Sequence, residues 1–119
     1  MMETIENYFE NSVEEHIESI VVYNRTYQIR RLDGLNFLQL QDIQGTEAKF
    51  TYILANCLIN PKTNQPLGNE IAIRFLKYRL PDGIEIINKI LDLSELLREM
   101  EQKEYEKERQ NFNETHTSF

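Results

Sequence analysis

One cysteine, two histidines, three prolines and four scattered glycines are all that this 119-residue chain offers of the residues on which most site chemistry and tight turns depend. A lone Cys57 can close no internal disulfide, which points to a reducing, cytoplasmic compartment. The opening residues show no charged-then-apolar leader of signal-peptide length. No apolar run approaches the roughly 20 residues that cross a bilayer, so no membrane partner is expected. Bases are also scarce: 13 Lys and Arg face 20 Asp and Glu, for a net charge of −7. Binding to a phosphate backbone needs clustered cations that release counterions, so nucleic acid is not expected either.

The same shortages weigh against catalysis. His16 and His116 stand near opposite ends of the chain, and each reads better as a solvated residue than as a base or ligand. Glu14, Glu15, His16 and Glu18 form a weak cation candidate, but consecutive helical residues diverge and do not close a coordination shell. Cys57 lies between Leu54 and Leu58 on an apolar helical face, the setting of a buried structural thiol. Gly34, Gly45, Gly68 and Gly83 are isolated at turns or caps and build no phosphate-cradling loop. Neither an enzyme activity nor a cofactor or metal site is expected.

What is present is patterned for one compact, mainly helical α+β domain. Residues 1–19 carry six Glu and no Lys or Arg, with Ile5, Phe9, Val13, Ile17 and Ile20 at helical spacing, so an acidic amphipathic helix is expected there. A β-hairpin follows, its strands Ile20–Tyr23 and Tyr27–Leu32 joined through Asn24-Arg25-Thr26. Asp33 can cap a helix through Gln44 that turns Leu35 and Leu38 inward, with Phe37, Leu40 and Ile43 as further candidates, and Gly45 is placed to end it. Thr46 caps the next helix, Glu47–Ile59, whose inward row is Phe50, Ile53, Leu54, Cys57 and Leu58.

The stretch Asn60–Gly68 is turn chemistry throughout. Asn69 can cap a helix over Glu70–Arg79 that buries Ile71, Ala72, Phe75 and Leu76, and Pro81-Asp82-Gly83 predicts a break before the last helix. From Ile84 the apolar seam runs through Ile86, Ile87, Ile90, Leu91, Leu93, Leu97 and Met100. Residues 20–100 form the expected domain, in a chain of 119 residues long enough to bury roughly two-thirds of its unfolded surface. Residues 101–119 read as a charged extension, partly helical through i,i+4 pairs and then without period or order.

The stretch Tyr27-Gln28-Ile29-Arg30-Arg31-Leu32-Asp33, leading into a short helix, a longer helix, a turn-rich loop and two further helices, resembles the tail assembly chaperones of long-tailed bacteriophages. The resemblance spans Ile20 to Met100 and rests on size, element order and this strand-to-helix entry. It implies a non-enzymatic protein that coats and solubilises the tape measure protein in the host bacterium's cytoplasm, recruits tail tube protein, and leaves the finished tail. Homo-oligomers are compatible with it, and the acidic lead before the hairpin departs from the pattern. A structural phage component, such as a connector or head-associated protein, and a small acidic host-directed inhibitor are the competing readings. Aromatic and apolar side chains enriched at interfaces give the candidate partner contacts Tyr23, Tyr27, Ile90, Leu93, Leu97, Met100 and Tyr105.

Overall fold

The structure, a computed structural model, describes residues 17–117, with side chains described up to Lys107. It is the expected α+β fold, about 65% helical, with one long hairpin and four helices. The helix expected over the acidic lead falls on residues 1–16, outside the described residues, except at its end. There Ile17, Glu18 and Ser19 are strand, not helix. The β-branched density of Ile17-Glu18-Ser19-Ile20-Val21-Val22, paired along its length, wins over the helical spacing of two isoleucines.

Strand β1 (Ile17–Val22) pairs antiparallel with β2 (Arg25–Arg30), in register from Ile17 opposite Arg30 to Val22 opposite Arg25. Tyr23 and Asn24 form the turn at φ 48° and 65°, so both central residues are left-handed, the type I′ pattern that matches strand twist. Arg25 and Thr26, expected in the connection, are therefore strand residues. The alternation puts Ile20, Val22, Tyr27 and Ile29 on the inner face, and Ile17, Ser19 and Val21 on the outer.

Asp33 caps α1 (Gly34–Asp42), its carboxylate accepting from the Asn36 backbone N–H at 2.7 Å. Leu35 and Leu38, expected inward, are 64% and 61% exposed. The face that turns in instead carries Asn36, whose amide lies 3.1 Å from the Tyr52 hydroxyl of the next helix; that hydroxyl also meets Gln39. Phe37, Leu40 and Ile43, the further inward candidates, are half-buried, and Leu40 packs on the core, so α1 turns in the face of Asn36, Phe37 and Leu40 rather than that of Leu35 and Leu38.

Helix α2 (Thr46–Cys57) buries Ile53, Leu54, Ala55 and Cys57, with Leu58 following, and half-buries Phe50. Its N-cap is Gly45 at φ 93°, and that of α3 (Asn69–Tyr78) is Gly68 at φ 81°, so Thr46 and Asn69 are first helical residues rather than caps. Both backbones enter their helices from a conformation that a side chain would strain, which is why glycine stands there. Between α2 and α3 the expected loop folds into a miniature hairpin of β3 (Ile59–Asn60) and β4 (Gln65–Pro66), attached to β2 by a bridge between Ile29 and Leu58. Ala72 is buried and Phe75 and Leu76 half-buried on α3, but Ile71 is exposed.

Arg79 alone interrupts the chain between α3 and the last helix, α4 (Leu80–Thr117). Pro81-Asp82-Gly83 lies inside the first turn of α4, not in a break before it. First-turn N–H groups have no intrahelical partner in any case, so proline is tolerated there. Gly83 lets α3 and α4 approach: a Cβ built on it would sit 2.9 Å from Leu76 Cδ2. The core seam of α4 is Ile86, Ile87, Ile90 and Leu93, with Leu97 at its edge, packed against α2, α3 and the hairpin. Helix continues through the charged extension and through residues 111–117, expected to be without period. Glu, Lys, Gln and Arg propagate a helix once the core has nucleated it.

Candidate functional site

The hairpin lies along α4, and three polar ties set its position. At the turn end, the Tyr27 hydroxyl donates to Asp82 Oδ2 at 2.6 Å, and Arg25 reaches the same oxygen at 3.4 Å. Asp82 is 8% exposed, at the N-terminus of α4, where the helix dipole favours a negative charge. The Tyr27 ring packs edge-on against Phe75, with centroids 5.9 Å apart. Burial, and then the hydrogen bond and charge of Asp82, push the Tyr27 phenol up to about 12. Midway, Ser94 Oγ accepts from the Leu32 N–H at 2.8 Å and donates to the Ile90 carbonyl at 2.6 Å. At the open end, Arg31 pairs with Glu101.

These ties assign roles to the expected contact residues. Tyr27, Ile90 and Leu93 face inward: Ile90 and Leu93 are core residues, and half-buried Tyr27 is spent on Asp82 and Phe75. The burial of Ile90 and Leu93 follows from the seam of α4, which the hairpin and two helices already cover. Leu97 is half-buried at the end of that seam. Tyr23, Met100 and Tyr105 are exposed. Of the wider seam, Ile84 and Leu91 are also exposed, on the flank of α4 away from its buried row.

Leu96, which the seam reading passed over, is exposed on the same flank as Met100, four residues and one turn away. With 54% and 55% of their surfaces in water, these two side chains form an apolar step on α4 at the edge of the packed body. Every described residue from Arg98 to Lys107 is exposed, and the helix leaves the body past Glu101, which still pairs with Arg31. Across the helix, the Arg98 guanidinium lies over the Phe37 ring of α1 at 4.4 Å. Tyr23 is the most unusual of the exposed aromatics, a bulky side chain held in the left-handed region at the hairpin tip.

Among the described residues, no group of three or more His, Cys, Asp or Glu could hold a metal ion, and no helix is long and apolar enough to cross a membrane. His16 and the side chain of His116 lie outside the described residues. Cys57 is fully buried. Compared with known protein families, curated proteins and solved structures, the chain matches none.

Proposed function

We propose that this protein is a non-enzymatic assembly chaperone of the kind made by long-tailed bacteriophages, binding and solubilising the tape measure protein before tail completion. The observation that carries the reading is the exposed pair Leu96 and Met100 on α4 at one-turn spacing, at the edge of the packed body. A long helical client presents apolar stripes at the same spacing, and pairing stripe to stripe removes both from water in the helix-in-groove manner. The acidic balance keeps such an assembly soluble by repulsion between copies. Tyr23 extends the contact at the far end of the hairpin.

Coexpression tests this. A tape measure protein that is insoluble alone becomes soluble with the wild-type chain, and loses that solubility with a Leu96→Asp, Met100→Asp double variant of unchanged circular dichroism. Equal rescue by the folded double variant removes α4 from the contact. Recovery of the protein in finished particles at fixed stoichiometry supports instead a structural phage component.

A further inference from the structure

The long hairpin has two edges, and they differ. The β2 edge meets the body through the bridge from Ile29 to Leu58, whereas β1 has β2 on one side and, among the described residues, no strand on the other. The two-residue turn makes Val22 and Arg25 a hydrogen-bonded pair, and such pairs alternate along an antiparallel ladder. Ile20 with Tyr27 and Glu18 with Ile29 are therefore the next bonded pairs. The N–H and C=O groups of Ile17, Ser19 and Val21 point to the open edge. None of the devices that usually blunt an edge is present: β1 holds no Pro, no Lys and no bulge, and Ile17 and Val21 stand exposed on its outer face.

We infer that this edge pairs two copies of the chain, β1 against β1 in antiparallel about a dyad at Ser19, to form one four-stranded sheet. The register follows from which backbone groups are open. A dyad at Ser19 sets Ile17 opposite Val21 of the second copy, Ser19 opposite its own counterpart and Val21 opposite Ile17, so every open N–H and C=O of β1 finds a partner. A register two residues longer or shorter leaves one of the three unpaired in each strand. A shift by one offers open groups to residues already bonded to β2, and exchanges the two faces. The side chains agree with the dyad. On the outer face β-branched Ile17 and Val21 face one another, and the small, uncharged Ser19 meets itself on the axis, where a charge would repel its copy. Glu18 falls opposite Ile20 rather than opposite another Glu18. This self-match selects a second copy as the occupant over a helical client, which has no strand to offer. The bodies fit as well: α4 packs under the hairpin, and two strands about 4.8 Å apart span roughly the 10 Å width of one helix, so two copies of α4 lie side by side beneath four strands. The residues used are not those proposed to meet the client, so the inference stands or falls without that reading.

Sedimentation and disulfide trapping of the full chain test it. The wild-type protein is expected to dimerise, with the association weakened about tenfold or more by Ser19→Pro, which removes an edge-facing N–H but no bond between β1 and β2. In a thiol–disulfide buffer, Ser19→Cys is expected to form a covalent dimer, because facing residues of a bonded pair have Cα atoms about 5.5 Å apart, within disulfide reach. Gln28→Cys is the control: opposite Ser19 on β2 and on the same face, it lies three strand spacings, roughly 14 Å, from its counterpart and stays unlinked. Native Cys57 is fully buried and does not compete. A wild-type monomer at all concentrations overturns the inference, as does a dimer undiminished in folded Ser19→Pro or equal trapping at positions 19 and 28. Should the proline variant unfold, the contrast between the two cysteine variants decides alone.

Discussion

The Tyr27 hydroxyl and the Asp82 carboxylate, 55 positions apart in sequence, meet at 2.6 Å and tie the hairpin to the first turn of α4. Removing the hydroxyl leaves a buried carboxylate paired with Arg25, whose side chain is half in water. Tyr27→Phe is therefore expected to lower stability by about 1–3 kcal/mol, the usual cost of stranding a buried polar partner. The midpoint of urea unfolding measures it.

The same pair gives the stability an alkaline limit. Because the folded phenol ionises near 12 rather than at its ordinary 10.0, the unfolded chain releases that proton first. The contribution of Tyr27 is complete below about pH 10 and is lost as pH rises through about 12. Urea midpoints across this window should fall more steeply in the wild type than in Tyr27→Phe, which removes this group while keeping the other tyrosines. Parallel profiles would show that another group sets the limit.

Ser94 makes a second, independent tie. It is 1% exposed, and its Oγ accepts the hydrogen bond of the Leu32 N–H. Ser94→Ala leaves that N–H buried and unmatched, for an expected loss of about 1–3 kcal/mol, with Ser94→Thr retaining more of it where the added methyl fits. Protection of the Leu32 amide against hydrogen exchange should fall in the alanine variant before global stability does.

How much of this was legible in the sequence depends on the range of the interaction. The hairpin and four helices are visible because β-branched runs and helical apolar periods are local signals, and Asp33 caps α1 through a contact three residues away. The strand register was not visible, since it hinges on a tyrosine accepting a left-handed backbone that its side chain disfavours. Gly45 and Gly68 displaced the expected caps by one residue for a related reason: a positive φ can enter a helix as well as end one.

The exposure of the proposed contact residues was half legible. Apolar spacing found the α4 seam but could not divide it into Ile90 and Leu93, which the hairpin covers, and Met100, which nothing described covers. That division depends on where the body stops along the helix. Likewise Leu35 and Leu38 are apolar at inward-looking spacing, but the face of α1 that turns in is that of Asn36, bridged to Tyr52, and of Leu40, packed on the core.

Gly83 sets how closely α3 and α4 pack. Gly83→Ala gains about 1 kcal/mol of helix propensity and must displace the end of the Leu76 side chain, so a small net change is expected. Gly83→Val adds further carbons in the direction of Leu54 and Phe75, both already within 4 Å of the Cβ position, and should cost about 1–3 kcal/mol. Thermal unfolding of the two variants separates close approach from propensity: equal destabilisation by alanine and valine would mean that Leu76 cannot yield at all.

Under the proposed function, Tyr23 joins stability and client contact in one residue. At φ 48° and 63% exposed, it occupies the first central position of a type I′ turn, where Asn is far more at ease. A left-handed non-glycine residue costs on the order of 1 kcal/mol or more, and such strain is kept where the surrounding structure or a partner has use for the side chain. Tyr23→Asn is therefore expected to raise stability by roughly 0.5–1 kcal/mol while weakening rescue of the coexpressed client. The gain in stability reads the backbone, and the loss of rescue reads the ring. If stability falls instead, the ring packs on the hairpin and relieves its own strain; if rescue is undiminished, the hairpin tip is outside the contact, which then rests on Leu96 and Met100.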